Sequence, residues 1–446
     1  MSTQPASLPD SRFTTTAPDR SNIRWVVCGL LFLATTINYM DRSVFSLIEP
    51  LLHLDFMGWI PGLDHAHQRA YDLNYGRVLI CFQIAYGVGF LFAGRIIDKL
   101  GSKTGYALAI TLWGCASISH SIVHSVMGFC IARILLGLGE SGNFPAAIKT
   151  VAEWFPRNER SLATGIFNSG ANVGAILAPA IVPWVTLRYG WHAAFLTTGI
   201  FSVLWILWWF RYYRKPTDHP TLTARELQYI YQESAADLGP SVPWRRLLRC
   251  RQTWAFSLAK FLTDPIWWFY LFWLPSYFST KFNLNLSHLG LPLIVVYNVS
   301  VIGSIGGGWL PALFRRLGLS PNHARLAAML VCASLVVPIF TAASVKSLWT
   351  AILLIGVAAG AHQGWSANLF TTSSDMFPRS AVGAVVGIGG MAGSVGSALF
   401  AFFAGHILQL THSYASLFGL ASSAYLLALV VLYWLAPGLK KVEFSV

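Results

Sequence analysis

Apolar runs long enough to cross a bilayer recur along the chain near 25–48, 77–97, 104–123, 126–148, 161–185 and 191–212, then near 253–280, 288–313, 323–343, 347–371, 381–407 and 414–436. About twenty such residues span the hydrocarbon as a helix, the form that satisfies its own backbone where water is absent. The pattern therefore predicts an all-α membrane protein of twelve transmembrane helices in two bundles of six. It divides the chain into a tail (1–24), a first bundle (25–212), a linker (213–251), a second bundle (252–437) and a final tail (438–446). The linker mixes charge with Pro216, Pro220, Pro240 and Pro243, and has room for one short helix near 223–236. The connection 49–76 is long and carries Glu49, Asp55, Asp64 and Asp72; it reads as a solvated loop, with a flap over a site as the alternative.

Composition sharpens this picture. The sequence is 55% hydrophobic and 11% charged, whereas soluble domains carry about 25% charged residues. The net charge of +13 suggests nucleic-acid affinity until the charges are placed. Arg12, Arg20 and Arg24 lie in the first tail, Arg95, Lys99 and Lys103 in the second connection, and Lys149, Arg157 and Arg160 in the fourth. Eight more lie in the linker region, followed by Arg315, Arg316, Arg325, Arg379, Lys440 and Lys441. The alternate connections hold only Arg69, Arg77, Arg188, Lys281 and Lys346. Such asymmetry puts both termini in the cytoplasm of a multi-pass cell-membrane protein and leaves no nucleic-acid surface to explain. Residues 1–24 lack an apolar signal core, and the first apolar run holds Asp41 and Arg42, so it reads as a membrane helix. The six cysteines show neither metal spacing nor a disulfide framework. Without a nucleophile–base set or nucleotide loop, the sequence implies no enzyme and no cofactor.

Charges inside the apolar runs are the candidate chemistry, because ionisable groups at that depth are costly and usually functional. Arg42, Arg133 and Lys260 balance Asp41, Glu140 and Asp264. Protonating one of these acids unmasks a cation, which an organic anion can neutralise. Arg133 and Glu140 are seven residues apart and share a helix face; they form either a structural ion pair or part of a coupling site. Lys260 and Asp264 are four apart and can neutralise each other. A shift of 222 residues superimposes Phe155-Pro156-Arg157 on Phe377-Pro378-Arg379, Gly165 on Gly387 and Gly174 on Gly396. It also places Glu140 on His362, which nominates His362 and Gln363 as pocket residues. Two related bundles in line imply a pseudo-twofold axis along the membrane normal and a site between them. Pro265 is expected to kink its helix.

The stretch GRIIDKLGSKTG (94–105) resembles the signature loop of the major facilitator superfamily. Its Gly94, Asp98, Lys99, Gly101 and Lys103 would form a gating clamp, with Asp98 capping a neighbouring helix and the lysines engaging carbonyls or carboxylates. The counterpart GGWLPALFRRLG (307–318) lacks the acid, so its clamp should be weaker; Asp375 reads as a gate or loop charge. NYMDRSVFS (38–46), ARILLGLGESGNFPAA (132–147) and WFPRNERSLATGIFNSG (154–170) resemble the anion:cation symporter family within that superfamily. KFLTDPIWWFYLFWLP (260–275) and GAHQGWSANLFTTSSDMFPR (360–379) are most similar to its hexuronate transporters.

The resemblance implies that Asp41 and Glu140 bind protons, with Arg133 beside Glu140, and that Arg42 binds a substrate carboxylate next to Tyr39 and Tyr86. Some members place a polar residue where this chain has Ala171, so Asn168 or Asn172 would supply that polarity. Lys260, His362, Gln363 and Ser366 complete the expected site, and Trp267, Trp268 and Trp365 are candidates to stack on a sugar ring. The implied function is proton-driven uptake of a sugar acid, galacturonate or glucuronate, by a monomer. An aldonate such as galactonate or an aromatic acid is the alternative cargo; a proton-coupled exporter or drug antiporter is the alternative mechanism. Cysteine labelling tests the topology: residues near Asp64 should react from outside, and those near Gln228 and the carboxyl terminus only from inside. External reactivity at Gln228 would invert the orientation.

Overall fold

The computed structural model describes residues 23–48, 52, 65–231, 242–284, 286–411 and 413–442. Its helices are α1 (Ile23–Leu47), α2 (His65–His120), α3 (Val126–Glu140), α4 (Asn143–Trp154), α5 (Arg160–Tyr189) and α6 (Trp191–Tyr212). Two short helices, α7 (Ala224–Tyr231) and α8 (Trp244–Arg249), precede α9 (Arg251–Phe282), α10 (Leu286–Arg316), α11 (Pro321–Val336), α12 (Leu348–Met376), α13 (Val382–Thr411) and α14 (Ala415–Leu435). Among the described residues, eight helical stretches are long and apolar enough to cross a membrane by length and composition alone. Exposed apolar side chains such as Ile84, Leu187, Ile302 and Val430 cover the outside, the surface expected of a body embedded in lipid.

Several boundaries differ from the sequence reading, each for a local reason. The second and third apolar runs form one helical stretch, α2, whose arms meet at Gly101. Its φ of +81° is a backbone state that L side chains rarely adopt. The fourth run is two helices rather than one: α3 ends at Glu140, and α4 begins at Asn143 after Ser141 and Gly142. α11 passes into a tighter turn, Val337–Ala343, which starts where Pro338 removes a backbone donor. α9 continues as helix through Pro265. The linker holds two short helices where one was expected. The connection 49–76 lies largely outside the described residues, and helix begins at His65.

The internal repeat is visible in how the bundles touch. α2 packs on α13 and α5 on α10, so each bundle lends the partner one helix pair. Gly165 faces the backbone of Ser304, and Gly387, its repeat mate, faces the backbone of Phe90. Within the bundles Gly174 lies against α1 and Gly396 against α9. These repeat-related glycines thus make equivalent contacts, two between bundles and two inside them. Small residues permit such approaches where no hydrophobic effect drives helices together.

A tight seam runs between α10 and α12, where a Cβ on Gly303 would collide with the backbone of Gly360. Gly303→Ala should therefore destabilise the protein by about 1–3 kcal/mol, the usual cost of overpacking. Gly306→Ala on the same helix meets open space and should leave thermal unfolding in detergent unchanged. Equal midpoints for the two variants would remove this seam from the account.

Candidate functional site

α1 delivers two consecutive functional positions, Asp41 and Arg42, to different places. Successive helix residues point about 100° apart, so Asp41 and Arg42 do not face the same space. Arg42 donates from Nε and Nη2 to Oε2 of Glu140 at 2.9 and 2.8 Å. Its guanidinium lies 4.6 Å from the ring centre of Tyr86 and 4.8 Å from that of Tyr39. Trp268 of the other bundle is 5.9 Å away. Glu140 thus takes its cation from α1, not from Arg133 on its own helix face. Arg133 instead stacks over Phe45 at 4.2 Å and Phe82 at 5.6 Å. The expectation of an Arg133–Glu140 ion pair is corrected, because the contact across helices is closer than two turns of one helix.

Asp41 turns into the interior of the first bundle. Ser117 donates to its Oδ1 at 2.8 Å and Ser202 to its Oδ2 at 3.4 Å. Ser202 also accepts from Trp113 at 2.9 Å, and Ser117 contacts Thr198 at 3.2 Å. The partners described around this carboxyl are hydroxyls.

The second bundle supplies the facing wall. Lys260 and Asp264 form an ion pair at 2.7 Å on α9, and the ammonium sits 4.1 Å over Phe370. α12 supplies His362, whose ring stacks on Trp267 at 5.2 Å and whose Nδ1 meets the Tyr425 hydroxyl at 2.5 Å. Gln363 crosses to the first bundle: its carbonyl accepts from Asn168 at 2.7 Å, and its amide donates to Asn172 at 3.3 Å. Tyr39, Tyr86, Asn168, Lys260, Asp264, His362, Gln363 and Ser366 all line one central cavity of about 70 Å³ with Trp267 and Trp268. Arg42 stands behind the two tyrosines, and Asn172 acts through Gln363. Trp365 is a correction: it is fully buried and donates to Thr263 at 3.3 Å, so Trp267 and Trp268 are the indoles at the cavity. Its volume is that of about two waters in the liquid, so a larger molecule needs the walls to part.

Phe144 and Phe370 stack at 5.1 Å between the cavity and the face where the basic connections gather. Beyond them that face is closed by two related clamps. Asp98, at the end of the first arm of α2, accepts from the amides of Gly383 and Ala384 at 3.1 and 2.6 Å. It therefore caps α13 of the opposite bundle and also holds Lys149 at 3.0 Å. Gly94 lets the helices touch, since a Cβ there would strike the carbonyl of Gly383. Asp375, ending α12, binds Arg325 at 2.7 Å, Arg157 at 3.3 Å and Arg160 at 3.9 Å. Arg160 also donates to the carbonyl of Ser374 at 2.6 Å.

Two expectations change here. Lys149 takes the place expected of Lys99 and Lys103, and the Lys103 ammonium lies 5.9 Å over Phe210 instead. The second clamp is built on Asp375 and on arginines outside 307–318. Sequence reasoning did not find Lys149, Arg160, Arg325, Phe144 or Phe370 as site-linked residues. The repeat carried the signal for the arginines, since the Phe-Pro-Arg turns fall beside both clamps.

Comparison with known proteins agrees with this architecture. The sequence profile of the Major Facilitator Superfamily matches residues 31–374. A hexuronate transporter of Escherichia coli K12 is 30% identical over 433 residues, covering 95% of this chain and 96% of the relative. A probable galactarate/D-glucarate transporter of Bacillus subtilis is 27% identical over 430 residues, covering 91% and 90%. Among solved structures, the proton:xylose symporter XylE superimposes with a TM-score of 0.71 at 14% identity, over 93% of this chain and 95% of that one.

The clamps give a test independent of any cargo. Leu100 and Leu317 are exposed beside the clamped face, one in each bundle. With spin labels at both, in a background without the native cysteines, Asp98→Asn combined with Asp375→Asn should shift the interlabel distances to longer values. Breaking buried pairs from one side costs about 3–5 kcal/mol, enough to repopulate a two-state equilibrium. Unchanged distances would show that the face is held by packing alone.

Proposed function

The chain belongs to the Major Facilitator Superfamily, and on that premise we propose that it is a proton-coupled importer of a hexuronate sugar acid. The reading takes twelve spans with the basic connections on the cytoplasmic side, which makes the clamped face the inner one. The observation that carries the reading is the Arg42–Glu140 pair at 2.8 Å, held among the rings of Tyr39, Tyr86 and Trp268 at the cavity. Relatives named for hexuronate transport support the choice of cargo.

With Glu140 ionised, the Arg42 fork is occupied by a protein carboxylate. A proton on Glu140 removes that charge, and the fork can then engage a substrate carboxylate in the same planar, two-bonded geometry. Tyr39, Tyr86, Trp267 and Trp268 offer flat faces to a sugar ring, while Asn168, Gln363 and Ser366 offer donors and acceptors to its hydroxyls. Asp41, caged by hydroxyls inside the first bundle, is the second proton site. Proton and anion thus enter together. Because the cavity walls come from both bundles, loading it draws them together on the outer side and the clamps open on the inner. After release, the ionised acid recaptures Arg42 and the carrier can return without cargo.

Two substitutions separate binding from coupling. Arg42→Lys keeps the charge but loses the fork, and should weaken galacturonate binding at least about tenfold, or 1.4 kcal/mol. Glu140→Gln imitates the protonated acid in size and hydrogen bonding. It should still exchange galacturonate in counterflow, yet lose uphill accumulation driven by a proton gradient in the same proteoliposomes. Retained accumulation in Glu140→Gln would remove that acid from the coupling step.

A further inference from the structure

The two ion pairs beside the cavity are buried in opposite order. In the first bundle the acid is the more buried partner: the Glu140 side chain is 0% exposed and Arg42 13%. In the second bundle the order reverses, with Lys260 5% exposed and Asp264 22%. Asp264 is itself part of the cavity wall. α13 fixes it there, because Gly393 packs directly on its carboxyl group and Gly389 on the stem of Lys260. The cavity wall therefore carries a negatively charged hydrogen-bond acceptor in Asp264, and the Arg42 cation lies behind Tyr39 and Tyr86 of the other bundle.

We propose that Asp264 is a specificity-determining residue, which accepts hydrogen bonds from the hydroxyl end of a monocarboxylate sugar acid and rejects sugar diacids. The inference rests on the reading of Arg42 as the carboxylate site. A hexuronate and the corresponding aldarate differ at one terminus, an aldehyde or its ring hemiacetal in the first and a carboxylate in the second. With one carboxylate on Arg42, the hydroxyls of a uronate can donate to Asp264, and Ser366 and Gln363 lie in the same wall. The second carboxylate of an aldarate would meet Asp264 instead, and like charges in contact are strongly rejected. Rejection through a repulsive element is a common way to separate near-identical partners. Lys260 does not relieve it, because its ammonium is already engaged by Asp264 at 2.7 Å and is the more buried of the two, 5% exposed against 22%. Replacing Asp264 with a neutral amide would leave that ammonium buried without a counter-ion, and a second substrate carboxylate is the group that restores balance.

The experiment is competition against labelled galacturonate in counterflow, with purified protein in proteoliposomes. For the wild type, galactarate should compete at least about 100-fold less well than galacturonate. Asp264→Asn should narrow that gap at least about tenfold, through better competition by galactarate. The neutral double variant Asp264→Asn with Lys260→Met should keep the part of the gain that comes from removing the repelling carboxylate and lose the part that comes from the unpaired ammonium, so its ratio falls between those of Asp264→Asn and the wild type. Equal competition by the two acids against the wild type overturns the proposal, and so does an unchanged ratio in Asp264→Asn. If Asp264→Asn does not assemble, the wild-type ratio and the double variant still decide: a double variant that discriminates as sharply as the wild type overturns it. Absence of counterflow with any sugar acid in the wild type would instead sink the underlying reading of the cargo.

Discussion

A charge inside this protein must be neutralised locally, by another side chain or by whatever the cavity holds. The lipid offers no counter-ions, and unpaired burial is costly. That constraint orders the polar interior. Around the cavity the pairs lie within one bundle, as in Arg42–Glu140 and Lys260–Asp264. At the clamped face they join the bundles, as in Asp98 to α13 and Asp375 to Arg157. Internal pairs can trade partners with a cargo while the frame survives. The joining pairs must break whenever the bundles swing, so they define a closed state.

The helices were legible because the apolar runs have bilayer length, and the pseudo-symmetry because Gly165, Gly174 and their mates recur at one offset. Equivalent glycines then made equivalent contacts. Partner choice was less legible. Spacing along one helix suggested Arg133 for Glu140, whereas the fold brings Arg42 from 98 residues away. Likewise the clamp motif showed Asp98 but not Lys149, which arrives from α4. Sequence periodicity reports which faces a helix presents; it carries little about which helix will stand opposite. Trp365 shows the same limit, since a helix buried on all sides gives no sign of which indole meets the cavity.

The break between α3 and α4 follows directly after Glu140. At Ser141 and Gly142 the backbone turns, and Gly142 fits against Ala109 of α2 where a larger residue would clash. The acid therefore ends a helix, where carbonyls lack amide partners, and Arg42 comes to it from outside the helix. Below the break, α4 carries Phe144 into the cavity wall and Lys149 to the clamp. One short segment thus links Glu140, the aromatic floor and the closing ion pair.

The opposed polarity of the two pairs has a mechanical side. Arg42 belongs to one bundle and Asp264 to the other, so on the proposed site a molecule that satisfies both would tie the two bundles together. A tie works only at a suitable length. An anion that reaches Arg42 alone leaves the second bundle as free as in the empty carrier, however tightly it is held. The span between the two charges is therefore a ruler, and the carrier measures its cargo by whether the bundles can close on it.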